Sequence, residues 1–200
     1  MVQSINSPGI RSFLANLFDS KLYVPKLWVP NIKHINFMEL RREFDAVIFD
    51  KDNCLTRPYK ADLEFSLDSA KSFFEKDRLA VISNCIGCED EQGAVNFERE
   101  HKIKVIRHNV KKPDCIQSVD EHFPLIPRRK ICLVGDRLST DIVMANKHGL
   151  FSILVDPITE EGDNPFAVIL RRLERFWLNR FAKYKTKEEY KKYLIYCCCS

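Results

Sequence analysis

Residues 45–56 read DAVIFDKDNCLT. Four apolar residues lead directly into the carboxylates of Asp50 and Asp52. A short run that is apolar at consecutive positions, rather than at alternate ones, is typical of a strand buried on both faces of a parallel sheet. In such sheets, ligands bind beyond the carboxyl ends of the strands. The stretch therefore predicts a parallel α/β sheet and two acids that project from it towards a ligand site.

Four further runs repeat this pattern, at residues 79–83, 104–107, 130–135 and 151–155. The segments between them are long enough for crossover helices, such as Ser66 to Lys76 and Ser139 to His148. We therefore predict an α/β fold over residues 36–158, a Rossmann-like three-layer sandwich with a parallel sheet of five strands. Residues 1–35 are predicted as an amphipathic, membrane-proximal segment, and residues 159–200 as a basic amphipathic helix with a tail.

Composition limits the classes of protein to which the chain can belong. Its 200 residues are 45% hydrophobic and 30% charged, which is ordinary for one globular domain. The net charge of +4 is too small to imply nucleic acid as a partner. No stretch approaches the roughly 20 apolar residues that a membrane-spanning helix needs. The oligomeric state is not encoded in any of these features.

The eight cysteines are predicted to be mostly free thiols in a reducing compartment. Several of them lie in or beside apolar runs, as Cys54 and Cys132 do. Cys85 and Cys88 form a CxxC pair. A structural role in packing or in a loop is one interpretation of this pair, and zinc binding or redox chemistry is the other. Two interpretations also stay open for Cys197, Cys198 and Cys199, which are either acylated or part of a frayed tail.

Polar side chains follow four successive predicted strands. Besides the first pair of acids, they are Ser83 and Asn84, Lys112 before Pro113, and Asp136 and Asp141. Clustered carboxylates form a hard-oxygen site suited to Mg²⁺, and a lysine and a hydroxyl beside it can bind phosphate oxygens. One carboxylate can attack phosphorus while a second transfers protons. Local roles, such as helix capping or turn formation, are the alternative for each acid taken singly.

The set DxDx, strand-end Ser, Lys before Pro and GDxxxxD resembles the motifs of the haloacid dehalogenase (HAD) superfamily of phosphohydrolases, over residues 45–155. The resemblance implies a nucleophilic Asp50 and a general acid/base in Asp52. Ser83, Asn84 and Lys112 then bind phosphate. The implied ligands of Mg²⁺ are Asp50, Asp52 through its carbonyl, Asp136 and Asp141. Cys54 departs from the family pattern, which usually has Thr or Val at that position.

Residues 57–82 and 84–111 are each about long enough for one crossover helix and the next strand. The cap domain that many HAD enzymes insert at these places therefore has no room, and we predict a capless HAD-like fold. An open site suits large substrates such as proteins, nucleic-acid ends or lipid headgroups.

The stretches DKDNCLT, HNVKKP and GDRLSTD resemble the mitochondrial phosphatidylglycerophosphate phosphatases of this superfamily. The resemblance implies hydrolysis of that lipid on the path to cardiolipin, by a peripheral protein on the matrix side of the mitochondrial inner membrane. Residues 1–18 contain one arginine and no acid, which agrees weakly with import. Candidate substrate-binding residues neighbour the catalytic positions: Lys51, Arg57, His108, Asn109 and Arg137. For Arg57 and Arg137, a surface ion pair is the alternative.

Two amphipathic helices flank the predicted core. One covers residues 10–18, and the stronger one covers residues 166–184. Between residues 166 and 192 there are nine basic residues against three acids, which favours an anionic membrane as partner. Packing on the sheet and docking of a protein partner are the alternatives. The candidate membrane contacts are Arg171, Arg172, Arg175, Phe176, Trp177, Arg180 and Phe181.

Two rival functions remain open at this point. A capless protein phosphatase would share every catalytic residue and need no lipid surface. A noncatalytic membrane-bound scaffold would bind anionic vesicles and release no phosphate.

Overall fold

The computed structural model describes residues 20–180, 182 and 184–195. The predicted helix over residues 10–18, the candidate membrane contact Phe181 and the cysteines at positions 197–199 lie outside these residues. Everything that follows refers to the described part of the chain.

A single open sheet of parallel strands forms the centre of the molecule, as the sequence predicts. The strands are β1 (Leu27–Val29), β2 (Ala46–Phe49), β3 (Leu79–Val81), β4 (Lys104–Val105), β5 (Ile131–Gly135) and β6 (Phe151–Val155). Their order is β1-β6-β5-β2-β3-β4, and every neighbouring pair is parallel. Four of the strands have every residue buried, which explains their uninterrupted apolar runs.

The sheet has six strands, one more than the five predicted. The additional strand is β1, which forms one edge of the sheet. β1 pairs with β6, with Leu27 opposite Ile153 and Val29 opposite Val155. A three-residue strand between Pro25 and Pro30 is too short to show a periodic pattern. The sheet therefore begins within residues 1–35, which the sequence analysis placed outside the core.

Six α-helices connect and flank the strands. They are α1 (Phe37–Glu43), α2 (Asp68–Phe73), α3 (Glu91–His101), α4 (Ile116–His122), α5 (Val143–His148) and α6 (Pro165–Arg180). Short 3₁₀ helices occur at Ser20–Tyr23, Ile32–His34, Lys76–Arg78, Arg128–Lys130 and Glu188–Tyr193. A π-helical turn, Leu138–Ile142, precedes α5.

The helices form two layers around the sheet, which makes a three-layer sandwich. On one face, side chains of α1, α2 and α3 join Val47 and Phe49 of β2 in one apolar cluster. On the other face, α4 and α5 join Ala46 and Ile48 of the same strand in a second cluster. Successive residues of β2 thus point to opposite layers, as the pleat of a strand requires.

The topology fixes where a ligand can bind. After β2 the chain continues to β3 and β4 on one side, and it returns to β5 on the other side of β2. Ligands in open α/β sheets bind at such a reversal, beyond the carboxyl ends of the two strands. In this chain Asp50 follows β2 and Asp136 follows β5.

The last helix, α6, packs on the loop after β5. Pro165 occupies the first position of the helix, and the side-chain oxygen of Asn164 accepts the backbone N–H of Phe166. Leu170 and Leu178 are buried, and Trp177 packs edge to face against Tyr23. Among the described residues, no helix combines the length and hydropathy that crossing a bilayer requires.

Candidate active site

Three buried carboxylates meet at the reversal point of the sheet. They belong to Asp50 after β2, Asp136 after β5 and Asp141 in the π-helical turn. One oxygen of each lies within 4.8 Å of one oxygen of the other two. The sequence predicts this meeting from the strand ends alone, although 91 positions separate the first acid from the last.

Lys112 places its ammonium group between two of these carboxylates. Its Nζ donates to Oδ1 of Asp50 at 2.5 Å, to Oδ1 of Asp141 at 2.6 Å and to the carbonyl of Ile82 at 3.2 Å. Burial alone would lower the pKa of Lys112, but the two carboxylates raise it above its ordinary value. The lysine is therefore a fixed cation at the floor of the site.

The pKa values and contacts of the three carboxylates are those expected of cation ligands in the absence of the cation. Burial raises the pKa of Asp50 to about 8; Lys112 opposes that shift, and Asp141 and Asp136 add to it. Burial likewise raises the pKa of Asp136 to about 6, against the attraction of Arg171. Asp136 forms an ion pair with Arg171, but neither of its carboxylate oxygens accepts a hydrogen bond of good geometry from a described residue. Three buried carboxylates whose oxygens lie within 4.8 Å of one another fit Mg²⁺, whose preferred ligands are hard oxygens.

Asp141 is held in place by its own turn and by a glycine. Its Oδ2 accepts the hydroxyl of Thr140 at 3.1 Å and the backbone N–H of Arg137 at 3.3 Å. A Cβ atom on Gly135 would stand 2.4 Å from Cγ of Asp141 and 2.6 Å from its Cβ. The glycine of the GDxxxxD motif is therefore required for the close approach of this carboxylate to β5.

Asp52 lines the pocket, is more exposed than the three clustered carboxylates and does not belong to their cluster. Its Oδ1 accepts the ammonium group of Lys51 and the backbone N–H of Tyr59, both at 2.9 Å. A carboxyl group at the solvent side of the cluster can exchange protons with a leaving group and with water. This position suits an acid/base better than it suits a side-chain metal ligand.

Ser83, Asn84 and Lys112 all line the pocket, as predicted for phosphate-binding residues. The hydroxyl oxygen of Ser83 accepts the backbone N–H of Cys85 at 3.1 Å, which leaves its hydrogen free to donate. Asn84 accepts the backbone N–H of Lys112 at 2.7 Å. It therefore positions the lysine, in addition to facing the pocket.

Of the five candidate substrate-binding residues, the structure brings only Arg137 into the pocket wall. Its Nε is buried and has no hydrogen-bond partner among the described residues. His108 is buried, with its ring nitrogens 2.8 Å from the carbonyl oxygen of Val110 and 2.9 Å from that of Ser83, so it supports the loop instead.

The other three candidates also lie away from the pocket wall. Lys51 is buried against Asp52, and Arg57 forms a surface ion pair with Glu64. Asn109 is exposed at a loop. The surface alternative that the sequence left open thus holds for Arg57.

The structure contradicts the interpretation of Arg171 and Arg175 as membrane contacts. Arg171 is buried in the pocket wall, with Nε 2.7 Å from Oδ2 of Asp136 and Nη2 2.8 Å from Oδ2 of Asp163. Arg175 donates to the carbonyl oxygens of Asp136 and Val155. Both arginines face residues 136–142 after β5, referred to below as the catalytic loop, because this loop carries buried negative charge.

Residues after position 158 complete the pocket, and the sequence motifs gave no sign of them. Asp163, Asn164, Phe166 and Ala167 all line it together with Arg171. Asn53, in a left-handed conformation with φ 63°, ties this segment to the first motif. Its amide nitrogen donates to Asp163 at 2.9 Å, and its amide oxygen accepts the backbone N–H of Thr159 at 3.0 Å.

Glu174 connects α6 to the turn that carries Asp141. Its carboxylate is buried and accepts the backbone N–H of Leu138 at 2.9 Å and that of Ser139 at 3.1 Å. These two N–H groups open the π-helical turn, whose first donors have no partner within the turn. The helix therefore supports the site both through arginines and through this acid.

The cysteines near the site are free thiols. Cys54, at the position where the sequence departs from the HAD pattern, is buried with its Sγ 3.7 Å from the carbonyl oxygen of Val134, and burial raises its pKa. Cys85 lines the pocket, and Cys88 is half-buried nearby.

The pocket is open at its mouth because no domain is inserted around it. Residues 57–78 contain one α-helix and one 3₁₀ turn, and residues 84–111 contain one helix and one strand. A substrate larger than the pocket can therefore reach the carboxylates with only its reacting group.

Comparison with known proteins gives a consistent result. The family model described as mitochondrial PGP phosphatase matches residues 8–159. The chloroplastic phosphatidylglycerophosphate phosphatase 1 of Chlamydomonas reinhardtii is 34% identical over 195 residues, which cover 91% of this chain and 71% of that protein. No solved structure matches the chain.

Two further relatives bear similar names. The chloroplastic/mitochondrial phosphatidylglycerophosphate phosphatase 1 of Arabidopsis thaliana is 36% identical over 90% of this chain, which spans only 55% of that protein. The mitochondrial phosphatidylglycerophosphatase GEP4 of Saccharomyces cerevisiae is 28% identical, with 86% of this chain and 98% of that protein covered.

Proposed function

The chain belongs to the mitochondrial phosphatidylglycerophosphate (PGP) phosphatase family and is a phosphatase, and from this premise we propose that it hydrolyses PGP to phosphatidylglycerol and phosphate. The observation that carries the proposal is the meeting of Asp50, Asp136, Asp141 and Lys112 in one open pocket. The names of the relatives supply the substrate. The mode of catalysis that we propose is that of a capless HAD enzyme.

In the first half of the reaction, an oxygen of Asp50 attacks the phosphorus of the terminal phosphate monoester. The bond from phosphorus to the glycerol oxygen breaks, and Asp52 gives its proton to that oxygen. The phosphoryl group is then attached to Asp50, and phosphatidylglycerol leaves. Lys112 and the Ser83 hydroxyl face the same pocket and donate to the phosphate oxygens.

In the second half, Asp52 accepts a proton from a water molecule, whose oxygen attacks the phosphorus. The bond between phosphorus and Asp50 breaks, phosphate leaves, and both carboxyl groups return to their starting states. When Mg²⁺ is bound by Asp50, Asp136 and Asp141, it supplies positive charge that offsets the charge of the phosphate oxygens.

PGP also carries a phosphodiester, which the pocket wall can recognise. Arg137 stands in that wall with Nε unpartnered, whereas Arg171 is paired with Asp136 and Asp163. We therefore assign the diester to Arg137. Its planar guanidinium group binds phosphate oxygens through two N–H groups at once.

We place the protein in mitochondria, as a peripheral protein on the matrix face of the inner membrane, on the path from PGP to cardiolipin. Support for mitochondria comes from the family description and from the name of the yeast relative. Plastid relatives of comparable identity bear chloroplastic names. The compartment is therefore a separate question from the reaction.

Phosphate release from PGP in anionic mixed micelles tests the proposed reaction. The wild type is assayed with Mg²⁺ and with EDTA, and the variant Asp50→Asn is assayed with Mg²⁺. We expect release that requires both the metal and Asp50. Absence of release, with Mg²⁺-dependent turnover of a phosphopeptide, would contradict the lipid substrate and favour a protein phosphatase.

A further inference from the structure

Helix α6 is oriented in an unusual way. Its charged residues Arg171 and Glu174 are buried, whereas Phe166, Ile169 and Leu173 remain 44%, 57% and 53% exposed. An amphipathic surface helix normally packs its apolar stripe on the core and leaves its charges in water. In α6, Arg171 and Glu174 are buried together with Leu170 and Leu178, so a second apolar stripe faces outward.

The exposed stripe is continuous. Phe166, Ile169 and Leu173 are spaced three and four positions apart, which places them in one row along the helix. Phe176, which is 60% exposed, extends the row by another turn. The other large exposed apolar side chains of the described residues, such as Phe73, Val95 and Leu125, are scattered over separate elements. Scattered apolar residues are ordinary, but a contiguous exposed row indicates a contact surface.

The exposed charged side chains of α6 beside the stripe are basic. Arg180 continues the same row one turn beyond Phe176, and Arg172 flanks it, where it pairs with Glu160. The one acid within α6 is Glu174, which is buried under the opposite face. Apolar side chains with arginines beside them and no exposed acid in the helix are complementary to a surface of anionic phospholipid.

The stripe adjoins the active site. Phe166, at its first position, lines the pocket together with its neighbour Ala167. A surface that receives the stripe would therefore lie at the pocket mouth. This continuity favours a bilayer over a protein partner, because the proposed substrate has its phosphate at the bilayer surface and its acyl chains inside.

We propose that the outer face of α6, comprising Phe166, Ile169, Leu173 and Phe176, docks on an anionic phospholipid bilayer and holds the open pocket at the headgroup level. The apolar side chains enter the boundary between headgroups and acyl chains, and Arg172 and Arg180 contact lipid phosphates. The inference rests on the proposed function for its choice of partner, and it adds the surface through which the enzyme reaches that substrate.

Vesicle flotation with the full chain tests the docking surface without any need for turnover. The probe is a vesicle of equimolar phosphatidylcholine and phosphatidylglycerol. The test variant is Ile169→Gln with Leu173→Gln. Its matched control is Val95→Gln with Leu125→Gln, which also replaces two exposed aliphatic side chains by glutamine, but away from α6. We expect the test variant to bind at least about tenfold more weakly, because two partly inserted side chains are lost, and the control to bind like the wild type.

Activity separates this proposal from the proposed function. Turnover of PGP in vesicles should fall with binding in the test variant, while turnover of soluble glycerol phosphate stays within about twofold of wild type. Equal vesicle binding by the test and control variants would overturn the docking surface, even if PGP is hydrolysed. Selective loss of binding without any PGP hydrolysis would uphold the surface and reject the substrate.

Two other occupants of the stripe would also overturn the proposal. If a second copy covers it, the test variant changes the mass measured by light scattering and leaves vesicle binding intact. If another segment of this chain covers it, the test variant lowers the melting temperature and again leaves vesicle binding intact.

Discussion

At the scale of single residues, the site is a small network of buried charges. Asp50, Asp136 and Asp141 bring three carboxylates, and Lys112 and Arg171 bring two cations within ion-pair distance of them. Burying charge is costly unless it is paired. With all three carboxylates ionised, they outnumber these two cations, and the Mg²⁺ that we propose would offset the remaining negative charge.

Gly135→Ala should disable the site while the rest of the sheet remains folded. A Cβ atom at this position would stand 2.4 Å from Cγ of the buried Asp141. Relief of this clash requires the Asp141 carboxylate to move. The movement would disturb its ion pair with Lys112. We expect kcat to fall at least about a hundredfold, since misplacement by about 1 Å has an effect of that size. Far-ultraviolet circular dichroism checks the fold, and a variant with near-normal kcat would show that the turn adapts.

Arg137→Ala should impair recognition of the lipid more than chemistry. The loss of a charge-assisted contact costs about 1.5–3 kcal/mol, which is roughly a tenfold to hundredfold rise in KM for PGP. A small monoester lacks the phosphodiester, so its kcat/KM should change less. The matched control is Arg57→Ala, which removes an arginine from a surface ion pair. Equal losses on both substrates would instead assign Arg137 to the monoester or to the loop.

The sequence predicts the motif residues well and their neighbours poorly. Asp50, Ser83, Lys112 and Asp136 meet because parallel strands deliver their carboxyl ends to one edge, which is a property of local pattern and topology. Arg171 was assigned to the membrane because a helical pattern shows which residues share a face. It does not show which face meets the sheet. That choice depends on the buried charge of Asp136, which lies 35 positions earlier.

At the scale of elements, α6 is a support for the catalytic loop as well as a surface helix. Arg175 binds the backbone carbonyl oxygen of Asp136, and Glu174 binds two N–H groups of the turn that carries Asp141. The helix therefore fixes the backbone between Asp136 and Asp141, the two acids that we propose as metal ligands on this loop. A shift of α6 would move their carboxylates.

Glu174→Gln should weaken metal binding as well as stability. The neutral side chain offers one amide oxygen in place of two charged acceptors, so at least one buried N–H loses its partner, at about 1–3 kcal/mol. We expect Mg²⁺ affinity, measured by calorimetry, to fall about tenfold or more, as for other residues that orient metal ligands. The control is Asn179→Ala at an exposed position of the same helix. A lower melting temperature with unchanged Mg²⁺ affinity would reduce Glu174 to a structural role.

The predicted elements differ from the observed ones mainly in length. The run at residues 104–107 yields only the two-residue strand β4, and the predicted helix over residues 139–148 is divided into a π-helical turn and α5. Edge strands have one neighbour, so fewer residues satisfy the ladder. The π turn occurs where Asp141 must face Lys112, and such turns are frequent at functional sites. Local propensity encodes neither effect.

At the scale of the whole molecule, metal binding should be linked to stability and to pH. Magnesium at about 100 times its Kd contributes about 2.7 kcal/mol, or about 5–10 °C in melting temperature for a domain of this size. Calorimetric scans with Mg²⁺ and with EDTA check the shift. Asp136→Asn should remove most of it. An unchanged shift in that variant would place the metal elsewhere.

The magnesium-induced shift should grow as the pH rises from about 5 to about 8. The pKa values of about 8 for Asp50 and about 6 for Asp136 lie above those of unfolded carboxyls, so the metal-free fold binds protons more tightly than the unfolded chain does. These groups therefore stabilise the metal-free fold at low pH, and that contribution is lost as the pH rises from the unfolded pKa of about 4 through the folded values of about 6 and about 8. Bound metal requires the ionised forms of both groups, so the metal-bound fold does not lose stability over this pH range. The difference between the two melting temperatures therefore increases with pH. A shift that is independent of pH would contradict the assignment of these ligands.

The completion of the pocket by residues 163–171 matters for the interpretation of genetic variation. A premature stop codon just after the fourth motif would leave all the recognisable motif residues intact. Inspection of motifs alone would score such an allele as harmless. The contacts of Asp163 and Arg171 with the catalytic loop instead predict a null allele. Missense changes at these two codons belong in the same class as changes to the aspartates themselves.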